Sequence, residues 1–388
     1  MNLGPLQRVL FVCRGSRKDG LGHVMRTRCV AAEMARRSSV KVAVLGESFV
    51  ENLLAGRGLD YRICADEREL LELHREFRPH VVVFDALSIP DAAFAPMAAA
   101  GPTVSLSPIF DHLADVDLVF HRTEYFGDDW NFGGERRGGP EVRHGLKYAV
   151  IREQCLPIDE AAFERNVAQR PLAVVISMGG ADAHNKTLAT LRAIGQVRSP
   201  LLIWTLLGEG YGHSYEKLVE CVRENRQHEI ILAKTSDSMW RVMQTCSLAI
   251  LAGGTITYEA AYAGLPSINV FDDGAHVFLI RELVEKGICI HAGWPFEDAL
   301  NVVAANLSHL ESHRDELLEM HRRARGAIDG RGAARIADEI VAFVAERQHR
   351  PNSSRSIGQV RLKTTLRRPN VVRDRSMATV GSEAERGR

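Results

Sequence analysis

The sequence predicts an α/β protein of two doubly wound, parallel-sheet halves facing a cleft, followed by a disordered tail. Three observations carry this. Short continuous apolar runs alternate with helical spacings along residues 8–345, the pattern of buried parallel strands joined by helices. The series breaks at a Gly-, Arg- and aromatic-rich stretch, 125–145, and restarts after a connection near 154–170. Three glycine-rich turns each lie between a strand signal and a helix signal, where folds of this kind hold their ligands.

In the first half, residues 8–13 (Arg-Val-Leu-Phe-Val-Cys) read as a strand. Residues 24–37 carry Met25, Cys29, Ala32 and Met34 at helical spacing. Residues 41–45 read as a strand, 67–77 as a helix, and 79–85 as a continuous apolar strand ending in the carboxylate Asp85. Residues 103–106 and 116–120 are further strands, and 125–145 is expected as a long loop, commonly functional in a compact domain. The second half repeats the scheme. Its strands are expected at 172–178, 201–207, 229–232, 248–251 and 267–271, and its helices at 186–194, 213–225, 236–245, 255–263, 277–285, 296–307 and 312–345. Domains are expected at 1–155 and 156–345, with a tail at 346–388.

Lys plus Arg and Asp plus Glu total 49 each in 388 residues, giving a net charge of zero. That argues against a surface built for nucleic acid. The balance hides an asymmetry, for residues 346–388 hold 11 basic against 4 acidic side chains. This stretch is poor in large apolar residues and has no helical period, so it reads as a disordered basic extension, inert or docking. No apolar run reaches the ~18 residues of a membrane helix, and the N-terminus does not read as a signal peptide. A cytoplasmic location is expected. The seven cysteines include no C-x-x-C pair and read as buried hydrophobes rather than a disulfide or zinc framework.

The first glycine turn, Gly20-Leu-Gly-His23, opens the helix with Val24-Met-Arg26. Glycine admits close approach of a ligand, and a helix N-terminus offers free N–H groups and a positive dipole end. An imidazole at that turn can face the cleft as a general base at neutral pH, or be a structural histidine. The second turn is Ser177-Met-Gly-Gly-Ala-Asp182 and the third Gly253-Gly-Thr255; both suit phosphate held by backbone N–H groups. Thr255 is a candidate helix cap and phosphate donor. Glu259, one turn on and on the same face, fits either the hydroxyls of a ribose or a mere complement to the helix dipole. There is no Gly-Lys-Ser/Thr, no G-x-G-x-x-G with a distant acid, no H-E-x-x-H and no G-x-S-x-G. NTPase, dinucleotide, zinc-protease and serine-hydrolase readings therefore fall away. Asp272-Asp273 reads as a turn more readily than a cation site.

Taken together, Gly20-Leu-Gly-His-Val-Met-Arg26, Ser177-Met-Gly-Gly-Ala-Asp182 and the run from Gly253 to Pro266 (Gly-Gly-Thr-Ile-Thr-Tyr-Glu-Ala-Ala-Tyr-Ala-Gly-Leu-Pro) resemble the GT-B nucleotide-sugar enzymes. The nearest resemblance is to the UDP-sugar hydrolase of pseudaminic acid biosynthesis and the spore-coat polysaccharide proteins. A more distant one is to the N-acetylglucosaminyltransferase that makes lipid II, with its family-28-type C-terminal domain. The resemblance covers the body to about residue 345. It implies an N-terminal acceptor and catalytic domain and a C-terminal nucleotide-sugar-binding domain. It implies that His23 acts near the anomeric carbon, that Gly253, Gly254 and Thr255 meet the diphosphate, that Glu259 binds the ribose, and that Gly179 and Gly180 open the second domain's loop. Gly20, Gly22 and Arg26 complete the first motif.

Two positions depart from the pattern. Val12-Cys-Arg14 stands where the hydrolase has Arg-x-Asp. Ala275 and His276 stand where the family has paired amides at the sugar, and an imidazole reads a sugar differently from an amide. The leading expectation is a glycosyltransferase that moves a sugar from a nucleoside diphosphate, UDP by preference, to a small-molecule or saccharide acceptor in bacterial glycan or natural-product biosynthesis. The alternatives are a nucleotide-sugar hydrolase with water as acceptor, and a non-catalytic nucleotide-sugar-binding protein. No cofactor and no metal are expected.

Overall fold

Strands buried on both faces must hydrogen-bond side by side and be covered by helices. In the first half of the computed structural model, which describes residues 8–348 apart from 128–129, 131–138, 235–237, 273 and 275, seven strands do so. They are β1 (Arg8–Gly15), β2 (Ser39–Gly46), β3 (Asp60–Cys64), β4 (Val81–Asp85), β5 (Thr103–Ser105), β6 (Leu118–Phe120) and β7 (Glu141–Arg143). All pair in parallel, in the order β3-β2-β1-β4-β5-β6-β7. The helices between them are α1 (Gly22–Ala35), α2 (Glu51–Leu54), α3 (Glu67–Phe77) and α4 (Asp91–Ala100). Central β4 is buried at every residue, while edge strand β3 alternates toward solvent.

After α5 (Glu160–Ala168) the second half repeats the plan with β8 (Leu172–Ser177), β9 (Leu201–Leu207), β10 (Glu229–Lys234), β11 (Leu248–Leu251), β12 (Ser267–Asn269) and β13 (Cys289–His291). These too are parallel, in the order β10-β9-β8-β11-β12-β13. Its helices are α6 (Lys186–Ile194), α7 (Tyr215–Glu224), α8 (Met239–Met243), α9 (Thr255–Ala263), α10 (Phe278–Glu285), α11 (Phe296–Ser312) and α12 (Arg314–Ala324). Each sheet reverses its winding between its first strand and its fourth. The loops leaving the C-terminal ends of those two strands splay apart there and leave a crevice.

The final helix, α13 (Gly332–Gln348), departs from the expected grouping. Sequence order assigns residues 332–345 to the second half, but Ile336, Ala337, Ile340 and Phe343 bury with Val30, Ala31 and Met34 of α1 in the first half's core. Arg143–Glu339 (2.9 Å) and Arg347–Asp117 (2.7 Å) secure the crossing. The sheet face over β1 and β2 needs a second covering helix, and the chain supplies it from its far end. The outward crossing lies at 146–151, where Tyr148 and Val150 pack with the first half and Leu146, Ala149 and Ile151 with the second.

The helix expected over 312–345 is thus three elements, broken at His313 and between α12 and α13. The expected loop 125–145 ends in β7, and its residues 128–129 and 131–138 lie outside the described residues. Of the expected tail, 346–348 finish α13 and the rest lies outside the described residues. All seven cysteines are free thiols. Among the described residues no helix is long and apolar enough to cross a membrane, and no three His, Cys, Asp or Glu side chains gather to hold a metal ion.

Candidate active site

The two winding reversals face each other. In the first sheet, β1 leads through 16–21 into α1, and neighbouring β4 ends at Asp85, opposite Cys13. In the second, β8 leads into 178–185 and β11 into 252–254. The three glycine turns therefore converge because the strand order puts them there. The contact between halves is close: a Cβ on Gly180 would lie 2.5 Å from the Leu21 side chain, and one on Gly22 only 3.6 Å from Thr255 Oγ1. Gly253 is demanded twice over, by φ of +70° and by the Phe271 ring, which a Cβ would meet at 2.2 Å.

Two cavities open from this convergence. The first, about 350 Å³, is lined by Gly20, Gly22, Gly179, Gly180, Gly254 and Thr255, with Arg152, Lys186 and Asp272 at its polar side. The second, about 210 Å³, is lined by His23, Ser107, His121, Arg122, Trp130 and His276. Asp19, Gly22, Gly254 and Thr255 border both, so a ligand filling both would pass the start of α9. Gly254 is the N-cap of α9 and Thr255 its first helical residue. This corrects the expectation that Thr255 caps the helix. No side chain caps α9, so its positive dipole end lies at the border shared by the two cavities, with the Thr257 N–H donating to the Gly254 carbonyl at 3.1 Å.

His23 sits in the first turn of α1 and lines the second cavity. Its Nδ1 lies 2.6 Å from Asp85 Oδ1. Arg26, one turn on, grips the same carboxylate, Nε donating to Oδ2 at 2.7 Å and the guanidinium also donating to Oδ1. Ser107 Oγ donates to Oδ1 at 3.2 Å. Asp85 is fully buried, which by itself would raise its pKa, but Arg26 and His23 outweigh burial and hold it at about 2. An ionised carboxylate at Nδ1 makes that nitrogen the N–H donor and leaves Nε2 with the lone pair. Arg26, expected at the nucleotide sugar, is committed to Asp85.

Glu259 was expected at a ribose. It is 2% exposed and forms a two-pronged ion pair with Arg152, both at 2.7 Å, and it lines neither cavity. The cavity wall at that place is Arg152. Gly253 shapes the turn without lining a cavity. Gly20, Gly179 and Gly180 line the first cavity, His276 the second, and Gly22, Gly254 and Thr255 both.

Sequence reasoning missed Arg152, Lys186, Ser107, His121 and Arg122. Lys186, in the first turn of α6, donates Nζ to Asp272 Oδ2 at 2.8 Å, and His184 Nδ1 lies 3.1 Å from the same oxygen. Asp272 therefore serves as an ion-pair acceptor beside the first cavity, while Asp273 lies outside the described residues. Asp182 accepts the Lys186 and Thr187 N–H groups at 2.7 and 2.9 Å, fixing the start of α6. His121 Nε2 lies 2.7 Å from the Tyr125 carbonyl, and burial holds its pKa down at about 3, so it stays a neutral donor. The one available signal was Asp85, a lone carboxylate ending an apolar strand; the others carry no motif.

No family model matches the chain. Among curated proteins, it is 21% identical over 280 residues to the uncharacterized protein MJ1062 of Methanocaldococcus jannaschii, covering 69% of this chain and 56% of that protein. It is 20% identical over 204 residues to the spore coat polysaccharide biosynthesis protein SpsG of Bacillus subtilis, covering 52% of this chain and 58% of that one. The matched stretch thus spans little more than half the length of either relative. Solved structures share the fold over their full length. Anabaena HepE, determined with UDP-glucose, superposes with a TM-score of 0.61 at 12% identity, over 88% of this chain and 99% of its own. Acinetobacter baumannii MurG gives 0.59 at 15%, over 86% and 99%. A UDP-GlcNAc 2-epimerase from Neisseria meningitidis, bound to UDP-GlcNAc, gives 0.56 at 11%, over 87% and 100%. The chain has the GT-B type of fold, two Rossmann-like halves about a cleft.

Proposed function

We propose that the protein is a glycosyltransferase that uses a nucleoside-diphosphate sugar, UDP-linked by preference, and that His23 is its general base. The observation that carries this reading is the His23–Asp85 pair at 2.6 Å, with His23 lining the second cavity, which meets the first at the N-terminus of α9. The nucleotide occupies the larger cavity, with its diphosphate at Gly254 and Thr255. The sugar projects past the start of α9 toward His23. Nε2 takes the proton of an acceptor hydroxyl as its oxygen bonds to the anomeric carbon. The bond from that carbon to the diphosphate oxygen breaks, and the leaving group departs with the electron pair. Backbone N–H groups and the α9 dipole receive that charge. Asp85 stays ionised, holds the imidazole and steadies the imidazolium. The comparisons support the nucleotide half: HepE with UDP-glucose and the Neisseria epimerase with UDP-GlcNAc share the fold.

A group larger than water suits the second cavity, whose walls include Phe110, Trp130 and Phe278. The test incubates the protein with UDP-, GDP- and dTDP-sugars, with and without candidate acceptors, and follows nucleoside-diphosphate release. Release that requires an acceptor, and that His23→Ala lowers by ~10²–10⁴-fold with nucleotide binding intact, is expected. Rapid acceptor-free release would make water the acceptor and the protein a hydrolase. Binding without release under any condition would make it a non-catalytic receptor.

A further inference from the structure

Arg122 follows β6 and lines the second cavity, not the first. Its guanidinium lies over the Tyr258 ring, 5.1 Å from the centroid, and its Nε is buried without a hydrogen-bond partner. Three other titratable groups at this cavity have partners, of which only Arg26 is charge-paired. Arg26 is neutralised by Asp85, the Asp19 carboxylate accepts the Ser16 hydroxyl at 2.8 Å, and the His121 ring donates to a carbonyl. No carboxylate among the described residues pairs with Arg122. Burial pulls its pKa below the ordinary arginine value, opposed by Tyr258, which also shares a side-chain hydrogen bond with it, and by the charge of Asp85. A half-buried guanidinium with a buried Nε and no paired carboxylate is unfavourable in the free protein. Its planar fork fits carboxylate or phosphate oxygens.

We propose that Arg122 binds an anionic group, carboxylate or phosphate, carried by the molecule that occupies the second cavity beside His23. The acceptor class is thereby narrowed to acidic molecules, such as a uronate or a phosphorylated sugar, presenting a hydroxyl to His23 and the acid to Arg122. Ser107 and His121, both uncharged, lie along the same wall, their protons already hydrogen-bonded to Asp85 and the Tyr125 carbonyl. The aromatic rings of Phe110, Trp130 and Phe278 offer the apolar side of the cavity to the body of the ligand.

The proposal rests on the nucleotide-sugar reading for its reaction but not for its binding. Calorimetry on the full chain titrates UDP first, then glucose, glucuronate and glucose 6-phosphate, each with and without saturating UDP. Glucuronate or glucose 6-phosphate is expected to bind at least ~10-fold tighter than glucose, and whichever leads identifies the anion. Arg122→Met should erase the preference, leave UDP affinity within ~2-fold and change the melting temperature little, since it removes a half-buried cation that no carboxylate pairs. Arg122→Lys should keep part of the preference, because the charge remains without the fork. Equal or absent binding of all three sugars, or a preference that survives Arg122→Met, overturns the proposal. So does a ~10-fold loss of UDP affinity in Arg122→Met, which would place the guanidinium at the leaving diphosphate. Anion preference in a chain that binds no nucleotide upholds the Arg122 site and defeats the glycosyltransferase reading.

Discussion

The two cavities share a border at Asp19, Gly22, Gly254 and Thr255 but differ in their linings. The first sets Gly20, Gly22, Gly179, Gly180, Gly208 and Gly254, contributed by loops at strand ends, among apolar and charged side chains such as Met25, Arg152 and Lys186. The second is walled by imidazole, guanidinium, hydroxyl and aromatic side chains drawn from several elements of the first half, with His276 and Phe278 from the second. Backbone N–H groups at helix starts bind phosphate whatever side chains surround them. Proton transfer instead needs one side chain in one protonation state, and that state is set by neighbours. The first cavity is therefore suited to a constant part of a substrate, and the second to the part that defines the reaction.

Asp85→Asn breaks that division at its sharpest point. The change removes the carboxylate that orders His23 and leaves Arg26 buried without its counter-ion. Turnover is expected to fall by ~10²–10⁴-fold, with stability falling by about 3–5 kcal/mol. UDP affinity of the folded fraction should stay within ~2-fold, because Asp85 lines neither cavity. Calorimetry on the folded variant checks the last point. An equal loss in binding and turnover would mean that the two cavities do not act separately.

Glu259→Gln tests the other cavity. Removing one charge from the buried pair leaves Arg152, whose side chain is 11% exposed, without compensation. The expected loss is about 3–5 kcal/mol of stability, read by denaturant unfolding, with nucleotide affinity reduced through a displaced Arg152. A ribose ligand in direct contact would behave oppositely, losing affinity with unfolding unchanged. The outcome decides whether Glu259 is part of the wall or of the ligand shell.

The same contrast explains what the sequence reveals. Continuous apolar strands and glycine turns leave local signatures, so the two sheets, the three converging loops and His23 are legible. Short strands such as β7 and β13, three residues each, lack the length for any periodicity. The return of α13 to the first half is a packing outcome with no local marker, since its apolar stripe would suit either core. Arg122, Ser107 and His121 are ordinary residues until the strand order brings them beside α1. Glu259 shows the converse, because its helical position is as expected while a residue 107 positions away occupies its carboxylate.

The smallest effect separates the cavities by pH. Asp85 near the second cavity has its pKa lowered from 3.8 to about 2. Its contribution, about 2 kcal/mol, is present above pH ~4 and lost as pH falls through ~2. Asp182, on the wall of the first cavity, is shifted upward, because burial outweighs the hydrogen bonds from Thr187 and Lys186. Its native form takes up a proton before its unfolded form does, so acidification across that interval stabilises the fold. Unfolding free energies measured from pH 6 to 2.5 should therefore diverge. Asp85→Asn, starting lower, should lose less than the parent on acidification. Asp182→Asn should lose more, having given up the opposing slope. Parallel curves for both variants would mean that neither carboxylate has its environment altered by folding, and the electrostatic distinction between the two cavities would fall with them.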